Sequence, residues 1–225
     1  FDKGTLTLKE MANVANIPII CANIEFNDKI LQSKIKNYII KDYNGLKVGI
    51  IGLTPNNLKL LTSNSDDFQA HNTVKTTKEL VKILDPQVDL IIVLSHNGTS
   101  GDIKIAKSVP EVDVIVGGHS HTFLHKPIII NKAENNKTLI VQAGEFGIYL
   151  GKLDLKVQDK NIKNYSYELI PVDETVKEDL SIARKVDLLE KKVEIATKEI
   201  IGSLNTPVDA RKNKVRSELT TAGSL

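Results

Sequence analysis

The sequence predicts an α/β fold of two sheets flanked by helices and followed by a linker helix. Three observations carry this. Two apolar runs, Leu90 to Leu94 and Val112 to Val116, each close on a histidine beside glycine, with a helix-length stretch between them. Strand, helix, strand of this size is a βαβ unit, with parallel pairing and a right-handed crossover. Four short β-rich runs follow, and after them a long amphipathic stretch rich in Glu and Lys.

The elements follow in chain order. Leu6 to Ala15 is apolar at helical spacing and reads as a short helix. Ile17 to Ile24 reads as one buried strand, with Pro18 near its start, where proline is tolerated. Its cysteine, Cys21, is the sole one of the chain, so no internal disulfide forms; it reads as a small core residue. Ile35 to Asp42 and Leu46 to Leu53 flank Asn44-Gly45, the strongest short hairpin signal. Residues 56–72 are polar and read as a loop. Val74 to Leu84 is an amphipathic helix stopped by Asp85-Pro86. A helix from about Asp102 to Ser108 joins the two histidine strands. Pro127 to Ile130, Thr138 to Ala143, Tyr149 to Val157 and Asn164 to Pro171 read as an antiparallel meander completing a second sheet. Lys177 to Ile201 is the linker helix, stopped by Gly202.

Composition bounds the function. Of the 225 residues, 41% are hydrophobic and 4% aromatic, with no Trp, so the core rests on Ile, Leu and Val. The net charge of +2, with Lys and Glu interspersed, supplies no concentrated basic patch, and no nucleic-acid partner is expected. No run approaches the roughly 18 apolar residues of a membrane span. No signal peptide is visible, and the sequence reads as a fragment at both ends, opening on Phe1 without Met.

The chemistry concentrates in His96, His119 and His121. All three stand where strands end, the place where α/β sheets build their sites. Imidazole suits Zn, Mn and other transition metals. The glycines of Gly117-Gly118-His119-Ser120-His121-Thr122 let the backbone turn sharply, and both following histidines can point toward one cleft. His71 and His125 lack such context and read as surface residues. Gly144, Glu145 and Gly147 form either an ordinary tight turn or a close approach to a ligand. Asn23 reads as a capping residue more readily than as a cleft residue. The run Glu190 to Glu194 is a solvated helix face.

Several segments resemble the 5′-nucleotidase family of dinuclear metallophosphoesterases, which includes UDP-sugar hydrolases and 2′,3′-cyclic-nucleotide phosphodiesterases. Phe1-Asp2 is similar to the end of the family's Gly-Asn-His-Glu-Phe-Asp motif, and Ala22-Asn23-Ile24 to the strand after it. Lys47 to Thr54 resembles a central strand. Leu94-Ser95-His96 and Gly117 to Thr122 resemble the two late metal motifs, and Gln142-Ala143-Gly144 through Leu150-Gly151 the segment that follows. Val215 to Glu218 and Gly223-Ser224-Leu225 resemble the opening of the C-terminal nucleotide-binding domain.

The resemblance implies a two-sheet metallophosphatase-like sandwich. It places residues 1–175 in the C-terminal part of the catalytic domain, 176–202 in the linker helix and 203–225 at the start of a truncated nucleotide-binding domain. It implies two divalent ions, of Zn or Mn type, on the order of 3.5–4 Å apart, holding a phosphate oxygen and the attacking water. His96 and His119 would bind one ion and His121 the other. Asp2 would orient a catalytic His just upstream. The implied activity is phosphoester hydrolysis of nucleotides, in the periplasm, at the cell surface or outside the cell. The family's Asp-x-His, bridging Gly-Asp and Gly-Asn-His motifs have no counterpart here, so the chain alone is expected not to hydrolyse at a useful rate and to expose a sheet edge. The competing expectation is a split or decayed, non-catalytic chain that binds metal weakly or pairs with a partner.

Overall fold

The computed structural model describes residues 3–62, 65–132 and 136–199. The chain divides into two compact units, Phe1–Asp173 and Glu174–Leu225.

The first unit opens with α1 (Gly4–Val14), β1 (Ile19–Ile20), β2 (Ile24–Phe26), α2 (Lys29–Lys34), β3 (Ile35–Lys36), β4 (Tyr38–Tyr43) and β5 (Leu46–Leu53). After α3 (Leu58–Leu61) and a short 3₁₀ turn come β6 (Phe68–Ala70), α4 (Thr73–Leu84), β7 (Leu90–Ser95), α5 (Gly98–Ser108) and β8 (Val114–Val116). Then follow β9 (Ile128–Asn131), β10 (Lys137–Val141), β11 (Tyr149–Gln158) and β12 (Asn161–Pro171). A six-stranded sheet, in the order β4-β5-β7-β8-β10-β9, is the centre of the unit. Its four inner strands run parallel, and the edge strands β4 and β9 run antiparallel to their neighbours.

Both faces of this sheet are covered, as a parallel sheet requires. Side chains alternate along each inner strand. Ile51, Ile91, Val93, Ile115 and Ile140 pack on one face against Leu80, Val81 and Leu84 of α4 and Ile105 of α5. Buried positions of α4 at 73, 77, 80, 81 and 84 give it one apolar stripe. The intervening residues Val48, Leu90, Val114 and Leu139 form the opposite face, packed on Leu153, Leu155 and Ile162 of the β11–β12 hairpin. Helices, central sheet and hairpin are thus three layers, and the hairpin supplies the second sheet of the sandwich. The β4–β5 turn carries positive φ at Asn44 (55°) and Gly45 (95°), the geometry a two-residue hairpin needs.

Four segments differ from the sequence reading. Residues 17–24 are not one strand. β1 pairs with β3, and β2 pairs with β6. Between them Asn23, fully buried, donates from Nδ2 to Thr54 O (3.0 Å) and accepts the Thr54 N–H at Oδ1 (2.9 Å), interrupting the run. Residues 56–72 are not all loop; Leu58 and Phe68 are isolated apolar residues that enter a second small core with Phe26 and Leu31. The four late strands are not one meander: β9 and β10 do pair antiparallel, but β10 also lies parallel to β8 inside the main sheet, and β11–β12 is a separate antiparallel pair. α5 begins at Gly98, immediately after the first histidine loop. Cys21 is a buried free thiol, pushed up to about 11 chiefly by burial, as a core residue would be.

In the second unit α6 (Leu180–Thr197) starts at Asp179, whose carboxylate caps Ser181 N and Ile182 N. No helix among the described residues is long and apolar enough to cross a membrane. The stretch 203–225 lies outside the described residues.

Candidate functional site

β7 and β8 are neighbours in register, with Leu94 opposite Val116. Their C-terminal ends therefore deliver the following loops to one place. Each exit is fixed by a flanking strand: His96 N–H donates to Leu53 O (2.9 Å), and Gly117 N–H to Val141 O (2.8 Å). The imidazoles of His96 and His119 meet edge to face, with ring centroids 5.3 Å apart. Gly118 makes this approach possible, because a Cβ there would lie 2.8 Å from His96 Nδ1.

The turn itself is left-handed, and not at its glycines. Positive φ falls on His119 (73°) and His121 (54°). Such angles cost a non-glycine residue of order 1 kcal/mol each and persist where the surroundings impose them. His119 turns to His96, whereas His121 turns to Glu145, with Nδ1 2.5 Å from the carboxylate, and to the exposed ring of Phe146, at 6.3 Å.

A buried polar layer backs the loops. Ser95 Oγ donates to Asp102 Oδ1 (2.5 Å) and accepts from Asn97 N (3.2 Å) and Nδ2 (3.0 Å). Asp102, fully buried on α5, has its carboxyl pushed up to about 6 by burial, with the Ser95 hydroxyl acting in the opposite sense. Its Oδ2 has no hydrogen-bond partner and lies where a side chain on Gly117 would stand. Gln142, just past β10 and also buried, accepts the Thr122 N–H at Oε1 (2.6 Å). Ser120 Oγ is within 3.1 Å of Thr99 N and of Gln142 Oε1, and 2.9 Å from the hydroxyls of Thr99 and Thr122.

Neutral imidazole nitrogens fit a transition-metal ion. The His96–His119 pair therefore suits one as part of a ligand set. Among the described residues no group of three or more His, Cys, Asp or Glu comes together to hold a metal ion. Asp2 lies outside the described residues. Asn23 serves the β1–β2 junction, and His71 stands 3.5 Å from Glu25. Neither Asp102 nor Gln142 was singled out from the sequence as a site residue, although Gln142 opens one of the segments that carry the resemblance. Asp102 did carry a signal, since buried α5 positions 98, 102, 105 and 106 form one stripe with a carboxylate in it.

No protein-family model matches the chain. The trifunctional nucleotide phosphoesterase protein YfkN of Bacillus subtilis (strain 168) is 27% identical over all of this chain and 18% of its own length. The snake venom 5′-nucleotidase of Crotalus adamanteus is 31% identical, over 100% of this chain and 42% of its own. The chain is thus similar over its whole length to a 5′-nucleotidase and to a nucleotide phosphoesterase. Among solved structures, the 5′-nucleotidase precursor of Thermus thermophilus superposes with a TM-score of 0.83 at 25% identity, covering 99% of this chain and 47% of that one. The chain thus spans less than half the length of these relatives.

Proposed function

We propose that the chain is part of the catalytic domain of a metal-dependent phosphoesterase that hydrolyses nucleotides, with His96 and His119 as ligands of one divalent ion. The observation that carries this is the edge-to-face imidazole pair at the ends of adjacent parallel strands, in a chain homologous to 5′-nucleotidases and nucleotide phosphoesterases. A divalent ion of Zn or Mn type, when bound, polarises a phosphoryl oxygen and makes its bound water acidic enough to act as nucleophile. His96 and His119 would contribute imidazoles held by two strand ends. Glu145, 2.5 Å from His121 Nδ1, is placed to orient that ring so that Nε2 would face a second ion. Asp2 is assigned the role of orienting the general-acid histidine. Residues 1–175 are assigned to the catalytic domain, 176–202 to the linker and 203–225 to the nucleotide-binding domain. A location in the periplasm, at the cell surface or outside the cell accompanies this reading, supported by the venom relative.

A second reading, metal binding without turnover by this chain alone, draws on the incomplete cage among the described residues. One experiment separates them: Mn²⁺ or Zn²⁺ titration and AMP hydrolysis by the purified chain, with EDTA, His96→Ala and His119→Ala. Hydrolysis lost in all three controls supports the catalytic reading. Binding that depends on both histidines, without hydrolysis, supports the second. Binding indifferent to both substitutions sinks the metal assignment.

A further inference from the structure

We infer that Gln142 is the positioning residue that holds the Gly118–Thr122 turn in its left-handed shape and so aims His119 at His96. Its importance for hydrolysis rests on the function proposed above; the structural part does not. The turn contains two non-glycine residues at positive φ, separated by Ser120 alone. Histidine tolerates left-handed backbone better than most side chains, but two such residues in one short turn still need support from outside it. One carboxamide reaches both of its ends. Gln142 Oε1 accepts from Thr122 N (2.6 Å) and from Ser120 Oγ (3.1 Å), while Nε2 donates toward Gly118 O (3.3 Å). No aliphatic side chain of the same volume could do this, because the turn needs an acceptor at one end and a donor at the other.

The brace is itself anchored. Gln142 is 3% exposed, and its own carbonyl accepts from Leu124 N (3.1 Å). The preceding residue, Val141, accepts from Gly117 N. The amide side chain therefore projects from a fixed point of the main sheet into a loop whose entry is tied to the same strand. Ser120 extends the contact to the start of α5 through Thr99 N (3.1 Å).

The test uses the metal-free full chain labelled with ¹⁵N, with Co²⁺ titration as a separate arm. Gln142→Ala is expected to speed Thr122 amide exchange at least about tenfold and to move the HN–Hα couplings of His119 and His121 out of the left-handed range. Co²⁺ affinity is then expected to fall roughly 10-fold, the scale seen when a residue behind a metal ligand is lost. Gln142→Glu keeps the acceptor for Thr122 and loses the donor to Gly118, so it should restore part of the protection. Thr138→Val removes a buried hydrogen bond to Val112 O on the same strand; it controls for lost stability and should leave the turn and Co²⁺ binding unchanged. If Gln142→Ala does not fold, Ser120→Ala removes one of the three bonds from an exposed position and is read in the same way. Unchanged exchange and couplings in Gln142→Ala overturn the inference. So does an equal response in Thr138→Val. A turn that moves in a chain whose wild type binds no Co²⁺ upholds the role of Gln142 and removes the metal assignment instead.

Discussion

Asp102 shows how a single buried carboxyl sets conditions for the loop beside it. Its oxygen Oδ1 is satisfied by Ser95, and Oδ2 is not. Burial raises the carboxyl from 3.8 to about 6. The unfolded chain has released this proton by about pH 4, whereas the folded chain keeps it to about pH 6. Folding therefore takes up a proton in that window, and stability falls as pH rises from about 4 to about 6, by on the order of 2–3 kcal/mol. Asp102→Asn keeps an acceptor for Ser95 and is expected to flatten this slope. Urea unfolding at pH 4, 5, 6 and 7 checks it; an unchanged slope assigns the pH dependence elsewhere. At this scale the sequence was informative about His96 and His119, because a βαβ unit puts its two strand ends side by side when the strands are neighbours. It was silent on the left-handed backbone at His119 and His121, because the carboxamide that reaches both ends of that turn lies some twenty residues further along the chain.

Among the elements, the β8 and β9 ends are joined by an ion pair away from the histidines. Asp113 Oδ1 lies 3.5 Å from Lys132 Nζ, and Asp113 Oδ2 accepts from Ile91 N (2.8 Å). Their side chains are only 9% and 6% exposed. Burial pushes Asp113 up to about 6, and the Ile91 amide and Lys132 oppose that shift. Burial likewise lowers Lys132. Desolvation thus outweighs attraction for both partners, which marks the pair as costly to keep and costlier to break. Lys132→Met is expected to destabilise by about 3 kcal/mol at pH 7. Adding Asp113→Asn, which still accepts from Ile91, should recover most of that loss. Denaturant midpoints of the two single variants and the double variant form the cycle; additive losses would refute it. Elements with strong local chemistry, such as the Asn44-Gly45 hairpin and α4, could be read in advance. The breaks at Asn23 and the parallel entry of β10 could not, since both are decided by residues far along the chain.

Within the first unit, the layer contributed by β11 and β12 is thin. Their exposed positions alternate with half-buried ones, and Ile162 is the fully enclosed side chain that this hairpin inserts toward Leu139, Val114 and Leu90. Ile162→Ala is expected to cost about 2–4 kcal/mol and to loosen this face of the sheet. Hydrogen exchange of β11–β12 amides should rise more than that of β7; a uniform rise would mean that the hairpin and sheet open together. The three-layer arrangement follows from the sequence at the level of fold class, because apolar inner strands demand cover on both sides. Which element provides the cover does not.

The anchoring of both histidine loops to Leu53 and Val141 has a kinetic and thermodynamic consequence. Those carbonyls belong to strands that reach β7 and β8 only after long stretches of chain have closed. The pair therefore depends on non-local strand pairing and cannot be assembled by a locally formed piece alone. Whatever ligand occupies it draws its affinity from the intact sheet and, by linkage, returns that free energy to the sheet as resistance to unfolding.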